Sequence, residues 1–394
     1  MRKWSVVAAL VFACGCGGNA QLSVCDCGGT AGPSATANLA TPTPTPVVRA
    51  GQSIQAAIDA AAPNTTITVE PGIYHESSSG GNALLITKDG LQLIGLSTAA
   101  SPVVLENTGG QFNGIWVSPA GPEDALGAYD EEHPRCGTNG DEVHGFTLKG
   151  FTVRGFDDFG VYLACTDGFT LTDNVSHDNQ FYDLFPVRSH NGVISNNETF
   201  NTPLDAAIYV GQSDHVMVAG NHSHDSLIGI EVESSHNVTV SENETNDNTV
   251  GLLADAVPDL QQSDQNNITF VRNNVHDNNR PNTGEPPDFT SVIPPGTGIQ
   301  DSSGSNITMQ ANTVTNNNFG GIVIASYFLP YPSHVRIVDN TLSGNGLRPP
   351  PGLATAAADL TWEDGQGTDF CASGNTPTAT VKIGSLSRAL PVCQ

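Results

Sequence analysis

A short pattern of alternating apolar residues closed by asparagine recurs through the middle of the chain. Its copies are Phe169-x-Leu171-x-x-Asn174, Ile194-x-x-Asn197 with Gly192 in the first slot, Val216-x-Val218-x-x-Asn221, Val238-x-Val240-x-x-Asn243, Ile268-x-Phe270-x-x-Asn273, Ile307-x-Met309-x-x-Asn312 and Val335-x-Ile337-x-x-Asn340. From Asn to Asn the steps are 23, 24, 22, 30, 39 and 28 residues. Alternation predicts a short strand with one face turned inward. Asparagine at its end suits a turn, because it tolerates left-handed backbone and bonds nearby peptide groups through its side chain. The first three steps fit one coil of a stacked parallel solenoid, and the longer ones the same coil with loops inserted. Stacked coil on coil, these asparagines would form a ladder.

A second strand is predicted in most coils: Gly160-Val161-Tyr162, Asp183-Leu184-Phe185, Ala207-Ile208-Tyr209, Gly229-Ile230-Glu231, Gly251-Leu252-Leu253, Gly298-Ile299-Gln300 and Gly321-Ile322-Val323. Earlier coils are less regular, with strands expected at 67–69, 84–86, 91–94, 103–105 and 115–117. A solenoid end needs a cap, and the segment from Ser53 to Ala61 supplies one. Ser53 suits an N-cap, Ile54, Ala57, Ile58 and Ala61 share a helical face, and Pro63 ends the helix. The predicted fold is all-β, a parallel β-helix of about ten coils over 49–348 with an N-terminal capping helix at 53–62. Residues 349–394 are expected to be a C-terminal extension covering the other end.

Composition agrees with this picture. Lys and Arg number 14 against 40 Asp and Glu, a net charge of −26, yet charged residues are only 14% of the chain. Asn, Ser and Thr fill positions that a helical protein gives to Lys and Glu, and 42 Gly and 25 Pro exclude a coiled coil or helical bundle. A net charge of −26 with four lysines excludes a phosphate backbone as partner. A polyanionic polysaccharide would need help from a metal.

The N-terminus is an address. Met1-Arg2-Lys3 is basic, and Trp4 to Ala13 is an apolar run too short to span a bilayer as a helix. Its ending, Val11-Phe12-Ala13-Cys14-Gly15-Cys16, is similar to the lipobox of bacterial lipoproteins, which implies acylation of Cys14 or Cys16. A plain signal peptide cleaved near Ala20 is the alternative. A 1–16 signal is then followed by a Thr/Pro-rich tether over 17–48, carrying the run Thr41 to Pro46. The expected location is outside the cytoplasm, in the cell envelope at the outer membrane, periplasm or cell surface, touching membrane only through the lipid. Of eight Cys, lipidation at Cys16 leaves six and at Cys14 seven. In an exported chain, Cys136 is expected to pair with Cys165 and Cys371 with Cys393, each pair being isolated in sequence.

The stretch from Gly51 to Ile58 and on through Val69-Glu70-Pro71-Gly72-Ile73-Tyr74 resembles the opening of pectin-lyase-like right-handed β-helix proteins. Asp205 to Ser213, Gly229 to Ser235, Asn248 to Leu253, Pro295 to Gly298 and Ser326-Tyr327-Phe328 resemble a bacterial family of parallel β-helix repeat proteins. The similarity covers about residues 48–345. It implies the right-handed sense of the helix and an exported or lipid-anchored protein. That family has no established activity, so no catalytic residue is carried across.

Candidate chemistry lies along the second strand. Its outward row reads Tyr162, Phe185, Tyr209, Glu231, Leu253, Gln300 and Val323, with Asp183, Asp205, Glu233 and Asp255 beside it and Arg188 near by. Rings beside acids suit a sugar-binding groove, and the loops at 255–266, 279–297 and 325–333 could wall it. Tyr162, Asp183, Phe185, Arg188, Tyr209 and Gln300 are expected to line a groove for carbohydrate or another exported protein. The alternative is a glycoside hydrolase, lyase or epimerase using Asp205, Glu231, Glu233 and Asp255. Two further rows follow each ladder Asn: His177, Phe200, His224, Asn246, His276, Thr315, and Asp178, Asn201, Asp225, Asp247, Asp277, Asn316. They read best as turn residues with neighbouring His exposed, since a ladder offers metal ligands in a line rather than convergently. No cofactor is expected, although calcium is compatible with an acidic exported solenoid.

Overall fold

The structure is a computed structural model. It describes residues 46–120, 136 and 141–394, apart from 259, 285, 287–288, 327–328, 363–366, 377–380, 384–385 and 389. The expected signal, both candidate lipidation cysteines and most of the tether lie outside the described residues. The described chain winds into a right-handed parallel β-helix with three sheets, A, B and C, of 14, 10 and 12 strands.

One central coil shows the path. Ala206–Gly211 lies in sheet C, Asp214–Ala219 in sheet A, His222–His224 in sheet B, and Ile228–Glu233 returns to sheet C. Each strand pairs in parallel with its equivalent one coil away, as Val218 with Val240 and Ile208 with Ile230. The apolar-x-apolar residues of sheet A and the middle residues of sheet C point into one continuous core, including Ile194, Val218, Val240, Ile208, Ile230 and Leu252, all fully buried. Each such side chain contributes about 1.5–3 kcal/mol by leaving water. The inward positions of sheet B are partly polar, and Thr199 and Ser223 satisfy one another at 2.7 Å.

Each corner carries a hydrogen-bonded ladder. At the A-to-B corner, Asn221 donates from both its backbone N–H and Nδ2 to Oδ1 of Asn243, at 2.9 Å each, and from Nδ2 also to the Ile194 carbonyl at 3.0 Å. The pattern runs unbroken from Asn174 to Asn375. A second ladder, five residues later, links Asn248, Asn278, Asn317 and Asn345 at the B-to-C corner. A third, at the C-to-A corner, uses the Ser189, Ser213 and Ser235 hydroxyls as acceptors for backbone N–H groups. Buried amides are thereby satisfied along the helix axis, which burial demands.

A column of glycines accompanies the second ladder, at 160, 229, 251, 298 and 321. A Cβ on Gly229 would lie 2.6 Å from the Gly251 carbonyl oxygen and 2.9 Å from Asn248 Nδ2. Gly192 has a different reason: a Cβ there would overlap the Phe169 ring, so the large residue of one coil is matched by none in the next.

The capping helix, Ile54–Ala60, buries Ile54 and Ile58 over the open first coils. Ser53 Oγ accepts from the Ala56 N–H, and the Glu76 carboxylate accepts from Ser53 Oγ and the Ile54 N–H. Lys88 Nζ donates to the carbonyls of Ile58, Asp59 and Ala61 at the other end. Gln55 turns outward and clamps Leu85, donating to its carbonyl at 3.1 Å and accepting from its N–H at 2.8 Å. Leu85 belongs to Asn82–Ile86, the first strand of sheet C, so the side chain closes that edge.

The helix runs beyond the expected boundary at 348. Ala358–Trp362 pairs in parallel with Gly320–Ile324, and Cys371–Ser373 with Arg336–Val338. Phe370-x-Ala372-x-x-Asn375 is thus an eighth copy of the repeat, whose Asn375 Oδ1 accepts from Asn340 at 2.9 Å. Val381–Ile383 and Leu386–Arg388 then form an antiparallel pair at the end of sheet C. Cys136 is joined to Cys165 and Cys371 to Cys393.

Candidate active site

Sheet C brings three of the four predicted acids together. Glu231 and Glu233 project outward from Ile228–Glu233, and Asp255 from the end of Val250–Asp255; Glu233 and Asp255 are register partners. One carboxyl oxygen from each of Glu231, Glu233 and Asp255 lies within 4.8 Å of the others. All three side chains are buried, with exposures of 1%, 2% and 0%. Carboxylates at this spacing ionise together only against a compensating positive charge; otherwise they share protons. Tyr209, on the preceding coil, donates its hydroxyl to Glu233 Oε1 at 2.7 Å. Its ring reaches there by lying over Gly211, where a Cβ would overlap it.

Asp205 stands apart from the triad. Its Oδ2 accepts from the Tyr182 hydroxyl at 2.8 Å, and Tyr182 packs against Tyr209 with ring centroids 4.9 Å apart. The two acid positions are therefore connected through a pair of tyrosines.

The predicted aromatic row differs from expectation in its environment. Tyr162, Phe185, Tyr209 and Gln300 project away from the core but are 0–1% exposed, so they do not line an open groove. Trp116, Tyr162, Phe185 and Tyr209 form a continuous chain of ring contacts at 4.1, 5.0 and 4.7 Å. They belong to a second hydrophobic cluster outside sheet C, to which Ile293, Phe289 and Cys136 contribute from the loops. Inserted segments that could wall a groove instead lie on the face. Gln300 Nε2 donates to Ser302 Oγ at 2.9 Å. Arg188, with φ at +46°, donates to Gln261 of the 256–265 segment.

Asp183 is corrected more fully. It occupies a place in the glycine column, beside Gly160, and its carboxyl turns into the corner. There it accepts from Asn179 Nδ2 at 2.6 Å, Thr202 Oγ1 at 2.9 Å and Ser176 Oγ at 3.2 Å. Burial pushes its pKa well above the ordinary carboxylate value, against those three hydrogen bonds. It is fully buried in the corner and faces no groove. Asp301, not singled out by sequence, sits on the inward face in register with Ala254 and Ile324. Burial raises its pKa well above the usual range, with the Ser303 N–H opposing and Asp255 adding to the rise.

The His-Asp rows occupy sheet B and its corner. Asp178, Asn201, Asp225, Asp247, Asp277 and Asn316 all have φ between +54° and +60°, the left-handed geometry of the turn. The preceding imidazoles hydrogen-bond to them, as His224 Nδ1 to Asp225 Oδ2 at 2.9 Å. On sheet A, His190 lies 3.4 Å from Asp167 and 3.5 Å from Glu142.

Hard oxygen donors such as Glu231, Glu233 and Asp255 fit calcium in kind. The same acids with Tyr209 also fit general acid–base work on a hydroxylated substrate.

The model of the right-handed β-helix region matches residues 136–279 and 257–378, and the chain belongs to that family. No curated protein matches by sequence. Among solved structures, the A-module of Azotobacter vinelandii mannuronan C-5 epimerase AlgE4 superposes with a TM-score of 0.62 at 19% identity, over 82% of each chain. The AlgE6 A-module from the same organism gives 0.62 at 16% identity, over 82% of this chain and 81% of that one. The Dettilon tailspike protein gp208 gives 0.50 at 14% identity, over 86% of this chain and 59% of its own. At these identities the likeness is one of fold.

Proposed function

We propose that the chain is a polysaccharide-converting β-helix protein, a hydrolase, lyase or epimerase, whose working centre is Glu231, Glu233 and Asp255 with Tyr209. The observation that carries this reading is the convergence of three carboxyls from two adjacent coils at one point. Two-carboxylate glycosidases hold their acids about 5–10 Å apart on either side of the scissile bond, and acids scattered over the solenoid would have excluded them. Mannuronan epimerases and a tailspike among the structural neighbours support a carbohydrate reading. In this proposal the Tyr209 hydroxyl steadies an ionised Glu233 as base or nucleophile, while Glu231 or Asp255 delivers a proton. In the alternative arrangement all three carboxyls are ionised and would hold calcium, which would supply positive charge toward an acidic sugar.

A second reading is a binding protein for carbohydrate or another exported protein, without catalysis. The burial of the acids weighs against catalysis on a polymer, which is the ground for keeping this reading. A polysaccharide panel assayed for both binding and product release, with and without calcium, separates the two. Product formed by the wild type and abolished in Glu233→Gln supports the enzyme. Binding without product selects the second reading, and neither outcome on any glycan sinks the carbohydrate assignment. We also propose export as an envelope lipoprotein, supported by Met1-Arg2-Lys3, the apolar run and Cys14 or Cys16. Mass spectrometry of the mature N-terminus tests it: an acylated Cys is expected, and a free residue near Ala20 would overturn it.

A further inference from the structure

We propose that Glu198, His222 and His224 form a binding site for a divalent transition metal of the zinc class on the outer face of sheet B. One ligand atom from each lies within 4.8 Å of the others. A single row of a solenoid presents side chains in file, about 4.8 Å apart; here two rows meet. Glu198 and His222 are register partners on successive coils, and His224 lies two residues along the same strand as His222. Ser223 between them is buried, so both imidazoles face outward, with ring centroids 4.4 Å apart. The three donors therefore make a triangle.

The separation of His224 from Glu198 fits a bridging ion better than a direct contact. His224 Nε2 lies 3.6 Å from Glu198 Oε1. A charge-assisted hydrogen bond closes to about 2.7–2.9 Å. Two ligands at about 2.0–2.1 Å on a tetrahedral ion stand about 3.3–3.5 Å apart. The lone pair is also directed. His224 Nδ1 lies 2.9 Å from Asp225 Oδ2, so the carboxylate holds the Nδ1 proton and leaves Nε2 free toward Glu198. This is the carboxylate–imidazole arrangement that orients metal ligands. The ring is further fixed by stacking on Phe200, with centroids 4.9 Å apart and planes 9° apart. Two imidazoles with one carboxylate select zinc-class ions over calcium or magnesium.

Beside the triangle is a depression of about 510 Å³ lined by Asn174, Asn197, Glu198, Gly220 and His222. Three protein ligands leave a coordination position for water or an oxygen of a ligand. With two neutral imidazoles and one carboxylate, a bound dication would keep one net positive charge on a chain of −26. The site is chemically and spatially separate from the acid triad on sheet C, and it stands whether or not that triad is catalytic.

The test is a Zn²⁺ titration of the purified chain by competition with a chromogenic chelator, after alkylation of free thiols, with Co²⁺ absorption as a second readout. One tight equivalent is expected, with Co²⁺ bands of a four-coordinate N/O site. Glu198→Gln, His222→Gln and His224→Gln should each weaken binding at least tenfold, while His276→Gln and His190→Gln leave it unchanged. Asp225→Asn, a positioning change, should weaken it about 10-fold or more without altering stoichiometry. Circular dichroism on each variant excludes misfolding. Absence of a tight equivalent in the wild type overturns the proposal, as does equal loss in the His276 or His190 variants.

Discussion

The Tyr209 hydroxyl hydrogen-bonds Glu233 on the next coil at 2.7 Å, crossing above Gly211, the register partner of Glu233. The bond to an acid exists because the residue below the ring has no side chain. Tyr209→Phe should remove one hydrogen bond to a carboxyl, at a cost of about 1.5–3 kcal/mol. Gly211→Ala should displace the ring and cost at least as much. Because both act on one contact, the double variant should fall well short of the sum, by about 0.5–3 kcal/mol. Denaturant titration of the four proteins measures this, and strict additivity would separate Gly211 from the Tyr209–Glu233 contact.

Asp183 and Glu233 should behave as opposites. Asp183→Ala leaves Asn179 and Thr202 without their buried partner and should destabilise by about 3 kcal/mol or more. Activity or glycan binding per folded molecule should stay at the wild-type level. Glu233→Gln should do the reverse, keeping the fold and losing function. Thermal melts paired with the glycan assay decide it, and a functional loss in folded Asp183→Ala would return that residue to the site.

Asn221→Ala should cost about 2–4 kcal/mol, because its removal strips an acceptor from Asn197 and donors from Asn243 inside a dry ladder. Asn274→Ala, an exposed neighbour whose Nδ2 lies 3.3 Å from Glu244, should cost almost nothing. Equal melting shifts for the two would deny the ladder its energetic role.

Asp158 predicts a pH dependence. Burial, with the charge of Asp157 adding to it, raises its pKa from 3.8 to about 6. The folded state therefore binds more protons than the unfolded state between those values. This group's contribution to stability falls as pH rises through that window and is unfavourable above it. Asp158→Asn should flatten that slope and raise stability above pH 6 by about 1 kcal/mol, after allowance for partial exposure. Melting temperatures of both proteins from pH 4 to 7.5 provide the check; parallel curves would assign the slope elsewhere.

Gln55→Ala should expose the Leu85 N–H and carbonyl on the first strand of sheet C. An open edge of this kind templates strand addition. Faster concentration-dependent association is expected by light scattering, with little change in monomer melting.

The repeat itself was readable because its grammar is local: alternation gives the inward face and Asn the corner. The copy at Phe370, Ala372 and Asn375 obeys the same rule and was legible, although it falls in the stretch expected to be an extension. The Asn at 248, 278, 317 and 345, five residues after the first ladder, also carried a visible signal. Alternation could not say what covers the outer face of sheet C, because that depends on where Phe289 and Ile293 fold back. Its own residues held a hint, since Tyr162, Phe185 and Leu253 on an outward row are costly unless covered. Asp183 was misplaced because its position was read by alternation alone, whereas its column, with Gly160 one coil before and Gly229 two coils after, marks a corner. Convergence of Glu198 with His222 and His224 required the exact pairing of adjacent coils, which the spacing within one repeat does not contain.

The bond between Cys371 and Cys393 gives the molecule a mechanical asymmetry. A pull applied at Gln394 passes through the sulfurs directly to Cys371, on a strand in register with Arg336–Val338. The intervening residues are outside the tension path. Stretching would meet a rung of sheet A first, so rupture force, rather than the length of the tail, would set the first event in a single-molecule trace, and reductant would lengthen the extension before it.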